Sequence, residues 1–469
     1  MRSFQDKEAV ATFIEENAVR IINLCHIPED GRLKTLSFSA KNKDRIQQIL
    51  EYGERVDGSN LFSFIEPDKS DIYIHPRIDK TFTNPFSAAS TLNVMCDYLD
   101  ENGKPLNIAP QNVLTRAEDK LKASANVTLE ALAELEFYII AKPQPENMLT
   151  GLPDRNYHES APFTRFEDLR NEVLAILTDI GVATKYGHSE VGRTISKDGT
   201  LMEQHEIELA LQLLKETAEN IAITKWVIRN TCAAHGVSAS FSPKITLENA
   251  GSGMHVHLCA LQKEENILAA SNGSLSKEAL RIIGGILRYA PSLSAFGNPA
   301  PVSYMRFLTH KESPMHIGWS ARNRLTLVRI PLWWSFKEKR RTGGECRETV
   351  EYRGPDALAN PFLLLAGIAT ATNYGLTHGD EATKTAEDLH INASGAKRRM
   401  KNLPRSCFEA ARSLKRDRRF YEAEGVFPKV LLDKTIQKLQ AYKDRELWKN
   451  LVNKPEKTEE TLKPYFNWG

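Results

Sequence analysis

No C-x-x-C occurs anywhere in this 469-residue chain, and its six cysteines (Cys25, Cys96, Cys232, Cys259, Cys346 and Cys407) are scattered. That spacing excludes a thiolate zinc site and points to packed thiols rather than a disulfide framework. No run approaches the ~20 apolar residues needed to cross a bilayer, and the first thirty residues are charged throughout, without the apolar stretch of a secretory leader. A cytoplasmic protein without a membrane partner is the expectation. An excess of one charge is missing as well: 62 Lys and Arg against 60 Asp and Glu leave a formal net charge of +2, which argues against a general polyanion binder. The basic runs "FKEKRR" (336–341), "AKRRM" and "LKRDRRF" form no aromatic-interleaved stripe of the sort nucleic acid needs, and they read as solvated faces.

Length works in the other direction. A chain of 469 residues exceeds what one compact core fills, so more than one unit is expected. Residues 1–108 read as a small mixed unit. Helical spacing in "DKEAVATFIEENA" and "KDRIQQILEYG" alternates with strand-like "RIINLCHI", "LKTLSFSA" and "SDIYIHP". "STLNVMCDYLDENGKPL" predicts a hairpin tipped by Glu101, Asn102 and Gly103. Residues 109–469 read as a larger unit. A helix opens at Pro110, and long helical stretches come after it, among them "FEDLRNEVLAILTDIG" and "ELALQLLKETAENIAITKWVIRNTCAAHG". Between them lie the strand candidates "LEALAELEFYIIAK", "ATKYGHSEVG", "SASFSPKI", "GMHVHLCA" and "RLTLVRIP". The class is α+β, its second domain built on antiparallel strands that carry unusually many charges.

Those charges are the informative feature. In "NAGSGMHVHL" (249–258), His255 and His257 share one face of an extended chain, because side chains alternate with period two. In "ELEFYII", Glu134 and Glu136 do the same, an unfavourable pairing unless a cation or hydrogen-bond donors compensate it. "HSEV" adds Glu190, "EQHEIEL" adds Glu203, Glu206 and Glu208 where a long helical pattern begins, and "VEYRGPD" adds Glu351 and Arg353. Each piece alone also reads as an exposed edge or a surface imidazole. Together they form an oxygen-rich, imidazole-containing set suited to Mg²⁺ or Mn²⁺, ions that commonly hold phosphate oxygens. Arg306, Arg322, Arg324 and Arg329 add guanidinium groups; Arg324 and Arg329 flank an apolar strand core, as anion binding would explain.

The blocks "ELEF", "SEV…QHEIEL", "GSGMHVHL", "NPAPVSYMRF…ARNRLTLVRIP" and "EYRGPDALANPFL" succeed one another in the order of the signature blocks of the glutamine synthetase family, which this sequence resembles from Glu8 to Tyr442. The resemblance implies a β-grasp-like N-terminal domain before a catalytic domain with a curved antiparallel sheet. It implies a homo-oligomer, a dodecamer of two hexameric rings, with each site completed by a neighbour. It also implies the reaction: ATP, L-glutamate and ammonia give glutamine, ADP and phosphate through a γ-glutamyl phosphate. By motif match one metal site would use Glu136, Glu190 and Glu206, and the other Glu134, His255 and Glu351, with His257 beside the nucleotide. Arg306 would hold the α-carboxylate of glutamate, with Gly251 nearby. Arg324 and Arg329 would attend the phosphates, and Arg353 the reacting carboxylate or phosphoryl group. Glu312 would sit on the flap that closes over the acyl phosphate. Asp57 of "VDGSN", Tyr157 and Glu190 would form the ammonium pocket.

Three departures qualify the match. Ala250 stands where the family carries an asparagine that touches glutamate's amino group, with Asn249 as a stand-in one residue earlier. A hairpin around Lys197, Asp198 and Gly199 lengthens the link before Gln204, and "FKEKRRTGGECRETV" is longer than usual. Glu387 replaces the tyrosine that some bacterial members modify, so adenylylation there is not expected. A ligase of the same superfamily acting on a larger amine or a glutamate analogue stays open as the alternative. A non-catalytic relative would be expected to lose the charged ligands, which this chain keeps.

Overall fold

The structure is a computed structural model; it describes residues 1–143, 151–308, 313–314, 316–333, 348–391, 401–451 and 454–468. The first hundred residues fold as α1 (Lys7–Glu16), β1 (Ile21–His26), β2 (Lys34–Ser39), α2 (Lys43–Tyr52), β3 (Glu54–Asp57), β4 (Asp71–Thr83) and β5 (Thr91–Leu99). The strands form one mixed sheet in the order β2-β1-β5-β4-β3, with β1 and β5 parallel, as a β-grasp-like unit requires. Side-chain oxygens of Asp6 and Asn42 cap the two helices at their N-termini. Beyond β5 the chain turns back at 100–104, where Gly103 takes φ +72°, as the Asn-Gly signal predicted.

The larger unit opens with α3 (Pro110–Ala125), whose proline sits in the first turn, and β6 (Thr128–Ala141). Next are α4 (Glu167–Asp179), β7 (Thr184–Ile195), β8 (Leu201–Leu209), β9 (Gln212–Leu213), α5 (Leu214–Ala234), β10 (Ser238–Ser240), β11 (Met254–Gln262) and β12 (Glu265–Asn266). Then come α6 (Lys277–Gly297), α7 (Pro301–Leu308), β13 (Trp319–Ala321), β14 (Val328–Ile330), β15 (Val350–Tyr352) and α8 (Pro361–Thr377), with further helices behind. The sheet runs β13-β14-β15-β11-β6-β8-β7 and is antiparallel except for the β13–β14 pair. Its longest strand, β6, shows why one face is dry. Leu129, Ala131, Ala133, Leu135, Phe137 and Ile139 all point to the helical layer and are buried, while Glu130, Glu134 and Glu136 fall on the other parity. Alternation over fourteen residues thus splits one strand into a core side and a polar side.

One hydrophobic core continues from Val10 and Leu24 through Leu135 to Leu365 and Leu432. Polar bonds cross the same seam: Gln111 donates to the Ile27 carbonyl, and Asn360 to those of Pro28 and Glu29. Two expectations are corrected. "EQHEIEL" is strand β8 and not the start of the long helix, which begins at Leu214; the alternation of Glu206 and Glu208 with Ile207 and Leu209 outweighs the helical look of the residues after them. The cysteines are free and buried at 25, 96, 232 and 407, but Cys259 is disulfide-bonded, so thiols throughout was too simple a reading. No helix among the described residues is long and apolar enough to cross a membrane.

Candidate active site

Register assembles the polar face. Across the sheet, Arg329 stands opposite Glu351, and Glu351 opposite His257. One pleat along, His255 pairs with Glu134, Glu134 with Glu208, and Glu208 with Tyr186. The next row pairs Glu136 with Glu206 and Glu206 with His188. Directly opposed residues in antiparallel strands project to the same side, so six strands deliver carboxylates, imidazoles and a guanidinium to one surface. Glu190 joins them from the irregularity of β7 between Ser189 and Arg193.

One end of this face is saturated with imidazole and guanidinium donors. His255 Nδ1 donates to Glu134 at 2.7 Å and His257 Nε2 donates to its other oxygen at 3.0 Å. Arg329 donates to Glu351 at 2.6 Å and Arg353 at 2.5 Å. Burial opposes ionisation of Glu134, but His257 and His255 hold its carboxyl well below the usual range. Burial likewise opposes ionisation of Glu351, and His257 and Arg353 keep it lowered. The other end is starved of positive charge. His188 lies 3.3 Å from Glu206 and 3.7 Å from Glu190. Burial, then Glu136 and Glu206, push Glu190 up to about 9, and burial followed by Glu134 and Glu136 raises Glu206 well above the carboxylate range.

Ligand atoms of Glu134, His257 and Glu351 lie within 4.8 Å of one another, as do those of His188, Glu190 and Glu206 and those of Glu134, Glu206 and Glu208. His255 Nδ1 is also 3.8 Å from Glu351. Buried carboxylates that repel each other, with imidazole beside them and no thiolate, fit hard divalent ions such as Mg²⁺ or Mn²⁺.

The loop before β11 needs its glycines. A Cβ on Gly253 would lie 2.7 Å from both the Arg306 guanidinium and His255, and one on Gly251 would meet the Pro243 carbonyl at 2.8 Å and the Arg306 stem at 2.9 Å. The bare backbone instead lets Gly253 N–H donate to Glu136 at 2.8 Å. Arg306 is fully buried; it donates to the carbonyls of Arg353, Gly354 and Pro355 and lies 3.3 Å from His255 Nε2. Beside the starved end, Asn156 donates to the Glu190 carbonyl and fixes a loop carrying Tyr157, whose ring stacks on His158 at 4.2 Å.

Not every expected residue arrives. Asp57, expected at the site only from a neighbouring copy, ends β3 in the first sheet, where it accepts from Ser59 and Asn60 of its own turn. Arg324 is on an exposed turn before β14, not on the strand, though its charge acts on Tyr157. Glu312 falls outside the described residues. Asn249 does not replace the missing amide: its side chain bonds Thr246 and Asp154 within the loop. Glu203 belongs to the opposite parity, accepting from Thr164 and from the backbone N–H groups of Arg165 and Phe166 at the start of α4. His188, by contrast, is an additional member of the face, and Glu208, counted among the acids but assigned to neither metal, joins it. The His-x-Glu spacing of His188 and Glu190, and the Glu-x-Glu spacing of Glu206 and Glu208, carried that signal.

A sheet face of this kind behind a β-grasp unit suits divalent ions and anionic substrates. The family model described as glutamine synthetase, beta-Grasp domain, matches residues 18–101, and that described as glutamine synthetase, catalytic domain, matches residues 107–462. The glutamine synthetase of Thermotoga maritima is 30% identical over 430 residues, covering 89% of this chain and 92% of its own. That of Rhizobium meliloti is 30% identical over 463 residues, covering 90% and 93%. Among solved structures, Plasmodium falciparum glutamine synthetase superposes with a TM-score of 0.79 at 19% identity, covering 97% of this chain and 99% of its own. Ligand-free apo GmaS does so at 0.75 and 22% identity, covering 95% and 97%; both show the fold. The chain belongs to the glutamine synthetase family.

Proposed function

We propose that the protein joins ammonia to the γ-carboxylate of L-glutamate at the expense of ATP. In the first step a γ-carboxylate oxygen attacks the γ-phosphorus, the bond to the β-phosphate oxygen breaks, and ADP leaves γ-glutamyl phosphate. In the second, an ammonium proton having been lost beforehand, the lone pair of ammonia attacks the acyl carbon, the acyl C–O bond breaks, and phosphate departs with the proton that the nitrogen sheds. The observation that carries this reading is the single face on which Glu134, Glu136, Glu206, Glu351 and His255 meet Arg329 and Arg353.

Both reactants of the first step are anions, so their approach requires fixed positive charge in a low-dielectric pocket. Arg329 and Arg353, already oriented by Glu351, supply it at the phosphoryl group, and Arg324 adds charge from its turn. Arg306 fixes His255 from behind and directs positive charge toward the α-carboxylate, next to Gly251. Glu136, Glu190 and Glu206 would hold one divalent ion and Glu134, His255 and Glu351 another, with His257 turned to the nucleotide; Mg²⁺ or Mn²⁺ bound there supplies charge neutralisation on phosphate oxygens. Glu190 and Tyr157 form the ammonium pocket, and Asp57 of a neighbouring copy completes it in a two-ring dodecamer, so a cytoplasmic homo-oligomer is the working form. Glu312 is assigned to the closing flap by its motif.

Phosphate release from ATP is expected only when glutamate, a divalent ion and ammonium are all present. Release without glutamate, or full turnover on an alkylamine with none on ammonium, sinks this assignment. A larger amine as acceptor is the second reading, favoured by rings around the starved end. The centroids of His158 and His188 are 4.5 Å apart and those of Tyr186 and His188 are 5.9 Å apart, beside Glu190 and Glu206. Rings above carboxylates suit an alkylammonium group. The same assay with ethylamine and a polyamine separates the two.

A further inference from the structure

Positive charge collects at a second place, away from the sheet face. Between the loop after β1 and helix α5 lies a cavity of ≈ 170 Å³, lined by Gly31, Arg32, Leu33, Lys225, Trp226 and Arg229 among others, none of them acidic. Lys225 is 2% exposed, and its ammonium donates to the Ala357 carbonyl at 2.7 Å. Arg229 donates to the Trp468 carbonyl at 3.1 Å, and Arg32 donates to that of Asn467. These acceptors are neutral, and among the described residues lining the cavity three basic side chains face no acidic one. The Phe241 ring lies 5.5 Å from the Lys225 nitrogen and 4.7 Å from the Arg229 guanidinium carbon, which offsets part of the deficit. The imbalance registers in the acidity of the groups. Burial, then Arg229 and Arg32, draw Lys225 down to about 7, with Asp356 and Asp30 acting more weakly against that. Burial and Arg32 lower Arg229 too.

Natural chains seldom bury an ammonium against a neutral acceptor, as Lys225 is, and two guanidiniums lining the same cavity suit the oxygens of a carboxylate or a phosphate. We propose that this cavity binds a small oxyanion, held by Arg32, Lys225 and Arg229.

The test is calorimetric titration of the full-length protein at neutral pH with inorganic phosphate and, separately, with malonate. Arg32→Gln and Arg229→Gln are compared with Arg329→Gln, which reports binding at the catalytic face. Arg32 is exposed, so its variant retains the fold. A saturable event is expected with at least one anion, weakened about tenfold or more in Arg32→Gln and Arg229→Gln and retained in Arg329→Gln, which removes only binding at the catalytic face. The anion that saturates tells phosphate from carboxylate. Absence of saturable binding for both, equal binding in Arg32→Gln and Arg229→Gln, or loss confined to Arg329→Gln would overturn the proposal.

Discussion

Two ends of one sheet face solve the same electrostatic problem in opposite ways. Around Glu134 and Glu351 every carboxylate oxygen has an imidazole or guanidinium donor from the chain itself, and both carboxyls stay acidic despite burial. Around Glu190 and Glu206 only His188 is at hand among the described residues, and both carboxyls are pushed toward the neutral form. The difference teaches that a buried carboxylate is not in itself a stabilising or a destabilising element. What decides is whether its countercharge is built into the fold or must come from solution.

The contrast breaks most sharply at the saturated end. Arg353→Ala is expected to lower turnover by roughly 10²–10³ while ATP still binds, as steady-state phosphate release and nucleotide titration would show; wild-type turnover would remove Arg353 from the reaction. Glu351→Gln should destabilise the fold by about 3–5 kcal/mol, because it removes the carboxylate charge that Arg329 and Arg353 both donate to; chemical denaturation measures this. At the starved end the sign reverses. Glu190→Gln should stabilise the metal-free protein by about 1–3 kcal/mol at neutral pH, and the same denaturation series would refute the comparison if both variants moved the same way.

The smallest effect is a slope. A carboxyl whose folded pKa is raised binds more protons folded than unfolded, so stability falls as pH rises between its unfolded and folded values. For Glu190 that window runs from the ordinary value of 4.5 to about 9. In chelator, the thermal midpoint should therefore decline through this range once other titrations are subtracted using Glu190→Gln. Saturating Mg²⁺ should flatten or invert the decline, since a bound cation takes the place of the proton.

Much of the polar face is legible in the residues alone, for a definite reason. Alternation is local, so the shared face of Glu134 with Glu136, and of His255 with His257, needs only the period of an extended chain. Register is not local. That His188 lies opposite Glu206, or that Glu203 turns away to hold the first turn of α4, depends on how β7 and β8 meet. The misreading of β8 as helix has the same root, since "EIELALQLL" satisfies a helical period until its sheet partners are known. Arg324 escapes because three-residue β14 is shorter than its apolar run implies.

The hairpin between β7 and β8 closes at residues 196–200, where Ser196 and Thr200 bond across the tip and Gly199 adopts φ +82°. Extra length accumulated at that apex leaves the parity of Glu206 and Glu208 intact, so the turn can be remodelled with little chemical consequence. One residue added within β8 itself would exchange inside for outside, presenting His205 and Ile207 where acids now stand. Tolerance to insertion in this enzyme family is in that sense a matter of odd and even, and the tip is the one part of the hairpin where counting does not matter.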